Sequence, residues 1–216
     1  SSVNCAFVTL YSLGKYFPKT VEILASIIKE PVFPEKELRV VTEANKHQFL
    51  VNNQRVDVLA RKQLNRSLFG VSHPLGRYAE WEDYDRIHAD VLKDFYACHY
   101  RSDNCSAYVS GKVTDEIVRC IEENFGDEAW GVSNHAVYNR IFTPETDQRK
   151  RVFIEKEDAL QSSLKIGGFS LSRQHPDYLK LRVLVTLFGG YFGSRLMSNI
   201  REEKGYTYGI GAGLVA

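Results

Sequence analysis

The sequence lacks a surplus of either charge, since 28 Lys and Arg residues are matched by 27 Asp and Glu residues and the net charge is +1. Proteins that bind nucleic acid or an anionic membrane surface mainly through charge need a broad basic field, and this chain has too little surplus to form one. The longest uncharged apolar window covers residues 183–194, well short of the roughly 18 residues that cross a membrane. We therefore expect no nucleic-acid partner and no membrane span.

Local motifs for metal, nucleotide and nucleophile chemistry are missing too. The four cysteines form no Cys-x-x-Cys pair, and in a chain of this length we interpret them as reduced, semi-buried small hydrophobes. None of the six histidines belongs to a His-x-x-Glu-His or His-x-x-x-His pattern, so local spacing builds no zinc site. The glycine-rich stretches 189–194 and 209–213 lack the P-loop ending and the strand-to-helix position of a nucleotide fingerprint. His73, followed by Pro and Gly, indicates a shaped loop and not a metal ligand.

What the sequence does contain is the composition of a globular protein, with 44% hydrophobic and 25% charged residues. Apolar periodicity and end signals predict helices over about residues 18–31, 34–70 with a possible break near Asn52-Asn53, 81–100, 114–125, 176–188 and 192–204. Strand-like composition predicts strands over 3–11, 105–110, 151–155, 159–170 and 206–215. This mixed order predicts an α+β fold.

A change in composition divides the chain. Residues 126–149 contain Gly, Ser, Asn and Pro without a sustained period, which is typical of a linker. We therefore assign residues 1–130 to a first region, 131–149 to the linker and 150–216 to a second region. The chain starts without Met and ends on an apolar run, so we expect it to be a piece of a longer protein.

The end of the last predicted helix offers a candidate site. Arg201 lies near the helix C-terminus, Gly205 suits a left-handed cap, and Tyr208 follows on the predicted strand. A guanidinium and a phenol on the two sides of such a turn can both donate hydrogen bonds to a peptide carbonyl or a developing oxyanion. The alternative is that Arg201 balances Glu202 or Glu203 and that Tyr208 packs at a strand edge.

These residues also carry a family resemblance. Residues 187–196 and 200–208 resemble the second repeat of the pitrilysin- and insulinase-type zinc metallopeptidases, to which the mitochondrial processing peptidases belong. Residues 31–33, 69–77 and 95–104 agree with the first repeat. The resemblance implies tandem α+β repeats, each with a mostly antiparallel sheet and helices packed on one face, and a second repeat that is incomplete here.

The resemblance also indicates how the zinc site of the family is altered. Catalytic members bind zinc through an inverted His-x-x-Glu-His helix and a Glu on a later helix. Matching residues 40–44 to that later helix places Ala44 at the ligand position. Glu43 is one residue away, rotated by about 100° around the helix, and cannot simply replace it. The inverted motif would lie upstream of Ser1, so we expect no zinc in this chain and zinc in a partner or, less simply, through upstream residues.

In the family, residues matching Arg201 and Tyr208 reach the substrate in the zinc site of the opposite repeat, and some bacterial members divide zinc and Arg/Tyr between two chains. The resemblance therefore implies a subunit without its own zinc that supplies Arg201 and Tyr208 for peptide hydrolysis, in a homo- or heterodimer with a zinc-bearing homologue. The alternative function is a non-catalytic scaffold that keeps the peptidase fold. A third possibility is a peptidase that binds its metal through an unusual ligand set. Whether the chain is part of an enzyme stays open, and we favour the cytoplasm over the periplasm.

Overall fold

The computed structural model describes residues 5–126, 128–131 and 141–215. The chain divides into two compact units, Ser1–Ile166 and Gly167–Ala216. Of the predicted linker, residues 132–140 lie outside the described residues. The assignment of residues 1–130 and 150–216 to two repeats stays a prediction.

The described residues of the first compact unit form the α-helices α1 (Phe17–Lys29), α2 (Glu35–Gln54), α3 (Val56–Phe69), α4 (Ala89–His99) and α5 (Asp115–Ile121). Pro in the first turn begins α1, and Glu35 and Glu37 in the first turn of α2 complement the positive end of its dipole. Short 3₁₀ segments cover Gly14–Tyr16, Trp81–Arg86 and Ser102–Asn104, and a π-helical turn, Glu122–Gly126, extends α5. The most buried apolar side chains in the described residues are Val21, Ala25, Val58 and Ala89.

Local signals explain where these helices are interrupted. The predicted break near Asn52-Asn53 occurs at Arg55, whose ψ of 120° is extended. The single helix predicted over 81–100 is wrong, because Ile87 and His88 are extended and separate a 3₁₀ segment from α4. The 3₁₀ segment is capped at its own start. The Asp83 carboxylate accepts a hydrogen bond from the Glu80 N–H at 2.9 Å, which is half of a capping box.

The second compact unit contains α6 (Tyr178–Val185), a π-helical turn over Thr186–Gly190 and a π-helical segment over Met197–Glu203. The predicted interruption at Gly189-Gly190 is confirmed, since Tyr191 leaves the helix with a φ of −148° and a ψ of 171°. Nowhere in residues 5–126, 128–131 and 141–215 is a helix both long enough and apolar enough to cross a membrane.

The predicted α+β fold with a mostly antiparallel sheet is wrong, because no residue that the structure describes lies in a β-strand or bridge. Where the structure describes them, the segments with strand-like composition are without helical structure, and their main chains form no ladder with another described segment. Their apolar side chains are largely exposed, as Phe153 at 90% and Leu160 at 100% illustrate. Strand composition reflects a fit to a half-buried pleated surface, and without a paired neighbour it does not produce a strand.

Candidate functional site

The chain reverses direction directly after Arg201. The Arg201 carbonyl accepts hydrogen bonds from the N–H groups of Lys204 and, at 3.1 Å, Gly205. The Tyr206 N–H donates to the Ile200 carbonyl at 3.1 Å. Gly205 has a φ of +63°, a conformation that costs glycine little and other residues more. The predicted left-handed cap at Gly205 is confirmed, and it places Arg201 and Tyr208 on the two sides of one turn.

Arg201 lies in the last turn of the π-helical segment and is half-buried. Its Cζ atom lies 4.7 Å from the centroid of the Phe192 ring, a cation–π distance. In the part of the chain that the structure describes, the guanidinium has no carboxylate partner, and Glu203 accepts a hydrogen bond from the Asn199 side chain at 3.3 Å instead. The alternative in which Arg201 balances Glu202 or Glu203 is therefore not the arrangement found. Sequence reasoning missed Phe192.

Tyr208 is 94% exposed. The main chain beside it is constrained by Thr207, whose hydroxyl donates to the Gly209 carbonyl at 3.0 Å and accepts from the Gly209 N–H at 3.2 Å. Among the described side chains, no hydrogen bond joins the Tyr208 phenol to the Arg201 guanidinium. The two groups are thus close in sequence and at least partly exposed. Their roles in catalysis and substrate binding stay a prediction.

Gly189 fixes the segment that follows Tyr208. Its carbonyl accepts a hydrogen bond from the Ala212 N–H at 3.0 Å, and Gly189 itself is buried. A Cβ atom on Gly189 would lie 2.5 Å from the Ala212 nitrogen. The backbones of residues 189 and 212 therefore approach each other closely, and a glycine at position 189 permits this approach.

A groove of about 520 Å³ lies beside this contact, within the second compact unit. Residues of α6, of the turn after it and of the segment 212–214 contribute to its walls. Its lining is mixed in polarity and comprises Arg173, Tyr178, Arg182, Val185, Thr186, Gly190, Ala212, Gly213 and Leu214. The unit therefore offers an accessible concave surface.

The residues around Ala44 do not fit a zinc ion. Ala44 is exposed on α2 and its methyl group offers no donor atom, and Glu43 beside it is exposed as well. Glu43 lies near Lys46, whose pKa is raised mainly by its hydrogen bond to Asp85 and to a lesser extent by the Glu43 charge. Within the described ranges, no group of three or more His, Cys, Asp or Glu residues could hold a metal ion.

His73 occupies a loop, as the sequence indicated. Its ring stacks on Phe69 at 4.9 Å and meets the edge of Phe142 at 5.8 Å. Its Nδ1 atom accepts a hydrogen bond from the Leu75 N–H at 3.1 Å, and its carbonyl accepts from the Gly76 N–H at 2.9 Å. Both the ring and the main chain of His73 therefore shape the turn, which confirms the loop interpretation.

The chain is similar to a described protein family and to several known proteins. A family model described as "Peptidase M16 inactive domain" matches residues 86–216. The chain is 25% identical to "Uncharacterized zinc protease YmxG" of Bacillus subtilis, over 92% of this chain and 47% of that protein. It is also 25% identical to "Non-peptidase homolog YmxG" of Helicobacter pylori, over 94% of this chain and 46% of that protein. The chain spans about half the length of the curated relatives it matches.

A solved structure shares the fold. The crystal structure of a peptidase M16 inactive domain from Pseudomonas fluorescens superimposes with a TM-score of 0.69 over 91% of this chain and 47% of that chain. The two sequences are 22% identical in the superposition, so this likeness concerns the fold alone.

Proposed function

Because the chain belongs to the peptidase M16 family, whose pitrilysin- and insulinase-type members its sequence resembles, we propose that it supplies Arg201 and Tyr208 to the active chamber of a zinc-bearing partner. The partner is a homologue, in a homo- or heterodimer, and the reaction is hydrolysis of a peptide bond. One observation carries the proposal: an arginine that has no carboxylate partner among the described residues and an exposed tyrosine lie on the two sides of one turn, in a chain with Ala44 at the ligand position.

The chemistry of the two side chains suits a peptide carbonyl. In the partner, zinc would supply Lewis-acid activation of water. The guanidinium of Arg201 offers five N–H donors in one plane, while Tyr208 offers one O–H donor. Both would donate to the oxygen of the scissile carbonyl, whose negative charge grows as the carbon becomes tetrahedral. Among the described residues no carboxylate pairs with Arg201, so no acidic side chain there occupies its N–H donors.

The test uses the full-length protein together with its zinc-bearing partner and a peptide substrate. Removing one donor of this kind costs about 100- to 1000-fold in turnover, and we expect that loss from Arg201→Ala and from Tyr208→Phe. Lys204→Ala and Tyr206→Phe are matched controls, because Lys204 and Tyr206 are exposed residues of the same turn, and they should keep wild-type turnover. Unchanged turnover in both Arg201→Ala and Tyr208→Phe would contradict the proposal.

A non-catalytic scaffold is the second candidate function. It is favoured by the printed name of the Helicobacter pylori relative, which calls that protein a non-peptidase homologue. A scaffold would associate stably with its partners and give no peptide hydrolysis in any combination. The remaining alternative is a peptidase with an unusual ligand set, and metal analysis of the full-length protein tests it. Stoichiometric zinc would contradict our interpretation that Ala44 marks the loss of the zinc site.

A further inference from the structure

The ring of Phe192 lies against the guanidinium of Arg201, with Cζ 4.7 Å from the ring centroid. Phe192 belongs to a short turn in which the Ser194 N–H donates to the Tyr191 carbonyl at 3.1 Å. Buried residues flank this turn on both sides, since Gly189 precedes it and Ser194, which is 0% exposed, follows it. The ring itself remains 64% exposed. A fixed turn therefore presents an aromatic face to a side chain that would otherwise sample many rotamers.

The contact has two consequences for the chemistry of Arg201. A carboxylate would also restrain the side chain, but it would occupy the N–H donors and offset the positive charge. A ring face attracts the cation through its quadrupole and leaves the N–H donors at the edge of the guanidinium plane available. The arrangement thus restricts the motion of Arg201 without consuming the groups that a peptide carbonyl would need.

We propose that Phe192 is a positioning residue for Arg201, which it holds in an orientation ready to donate to the substrate. This inference rests on the proposed function of Arg201. The contribution of a cation–π contact at an exposed site corresponds to about 2- to 5-fold in rate, and to about 30-fold when the contact is desolvated. Phe192→Leu, which keeps an apolar side chain but removes the aromatic face, should lower turnover within that range.

The experiment measures peptide hydrolysis by the full-length protein with its zinc-bearing partner, for Phe192→Leu, Phe192→Tyr, Arg201→Ala and the double variant Phe192→Leu/Arg201→Ala. Phe192→Tyr keeps a ring face and should restore turnover to within about 2-fold of wild type. Because Phe192 acts through Arg201, the double variant should be no slower than Arg201→Ala alone. Phe188→Leu, at an exposed phenylalanine of the same unit, is the control and should keep wild-type turnover.

A second measurement does not depend on activity. In arginine-labelled full-length protein, the ring current of Phe192 should shift the Arg201 Nε–H resonance upfield, and Phe192→Leu should abolish that shift. An Arg201 resonance that is the same in wild type and Phe192→Leu would overturn the inference. So would a loss of turnover in Phe192→Leu that persists in full when Arg201 is already alanine, since that loss would be merely structural.

The two proposals fail in different ways. If Arg201→Ala abolishes turnover while Phe192→Leu behaves as wild type, the role of Phe192 is overturned and the proposed function stands. If Arg201→Ala and Tyr208→Phe both leave turnover unchanged, the proposed function is overturned and the positioning role of Phe192 falls with it.

Discussion

Gly189 is the position where a single methyl group should be least tolerated in the second compact unit. A Cβ atom there would lie 2.5 Å from the Ala212 nitrogen, 2.8 Å from the Ala212 Cβ and 3.0 Å from the Leu196 Cδ1. The first two atoms belong to the main chain or are attached directly to it, so no rotamer change can move them away. Gly189→Ala must therefore push residue 212 outward and lengthen the hydrogen bond from the Ala212 N–H to the carbonyl of residue 189.

Two destabilising contributions and one stabilising contribution set the expected change in the free energy of unfolding. Overpacking by a methyl group costs about 1–3 kcal/mol, and loss of one backbone hydrogen bond costs about 0.5–1.5 kcal/mol. Alanine restricts the unfolded chain more than glycine does, which returns about 0.4–1 kcal/mol. We expect Gly189→Ala to lower the free energy of unfolding of this unit by about 0.5–4 kcal/mol.

The assay is urea denaturation of the full-length protein combined with hydrogen exchange of the peptide that contains residue 212. Gly189→Ala should lower the urea midpoint of the transition that includes this unit and speed exchange of the Ala212 amide. Gly168→Ala is the matched control, because a Cβ atom on Gly168 would meet no atom within 4 Å. An unchanged midpoint together with unchanged exchange at Ala212 would refute the close approach of the two backbones.

Two further predictions concern the first compact unit. The Tyr96 hydroxyl donates to the carbonyls of Ile28 and Lys29 at the end of α1, at 2.7 Å and 2.9 Å. Tyr96→Phe should therefore lower the free energy of unfolding, measured by urea denaturation, by about 0.5–1.5 kcal/mol. Tyr11→Phe, at a tyrosine that is 93% exposed, is the control and should leave the free energy of unfolding unchanged. Hydrogen bonds from Arg149 hold the pKa of Asp147 below its ordinary 3.8. A depressed carboxyl pKa stabilises the fold above the unfolded-state value and loses that contribution as pH falls through the folded-state value. Between about pH 5 and about pH 2, the urea midpoint of wild type should therefore fall more steeply than that of Asp147→Asn; parallel slopes would contradict this assignment.

The helices could be predicted from the sequence because their signals are local. The spacing of Val21, Leu24, Ala25 and Ile28 predicted the buried stripe of α1, and Val21 and Ala25 are among the most buried residues described. The interruption at Gly189-Gly190 and the cap at Gly205 follow from what glycine permits in the backbone. Each of these features depends on residues within one or two turns of each other, so a single sequence contains the necessary information.

The predicted sheet was wrong because a strand needs a neighbour. Val152 and Ile154 alternate with residues that a strand would expose, yet Ile154 is itself 49% exposed and the segment pairs with nothing in the described residues. Composition reports only that a segment would fit a pleated surface if one existed. Whether a neighbouring strand exists to form that surface depends on other segments, so the pattern of one segment alone cannot predict it.

The surroundings of Arg201 depend partly on local helical geometry, which the sequence reveals, and partly on a contact with another segment, which it does not. Its sequence neighbours Glu202 and Glu203 made an ion pair the obvious alternative, but side chains one and two positions apart on a helix do not face each other. Glu203 instead meets Asn199 four residues earlier, the spacing at which helical side chains do meet. Helical geometry alone therefore argues that Arg201 lacks an acidic partner on its own segment. The ring that it contacts belongs to the turn before that segment, and only the three-dimensional course of residues 189–194 brings Phe192 against the guanidinium.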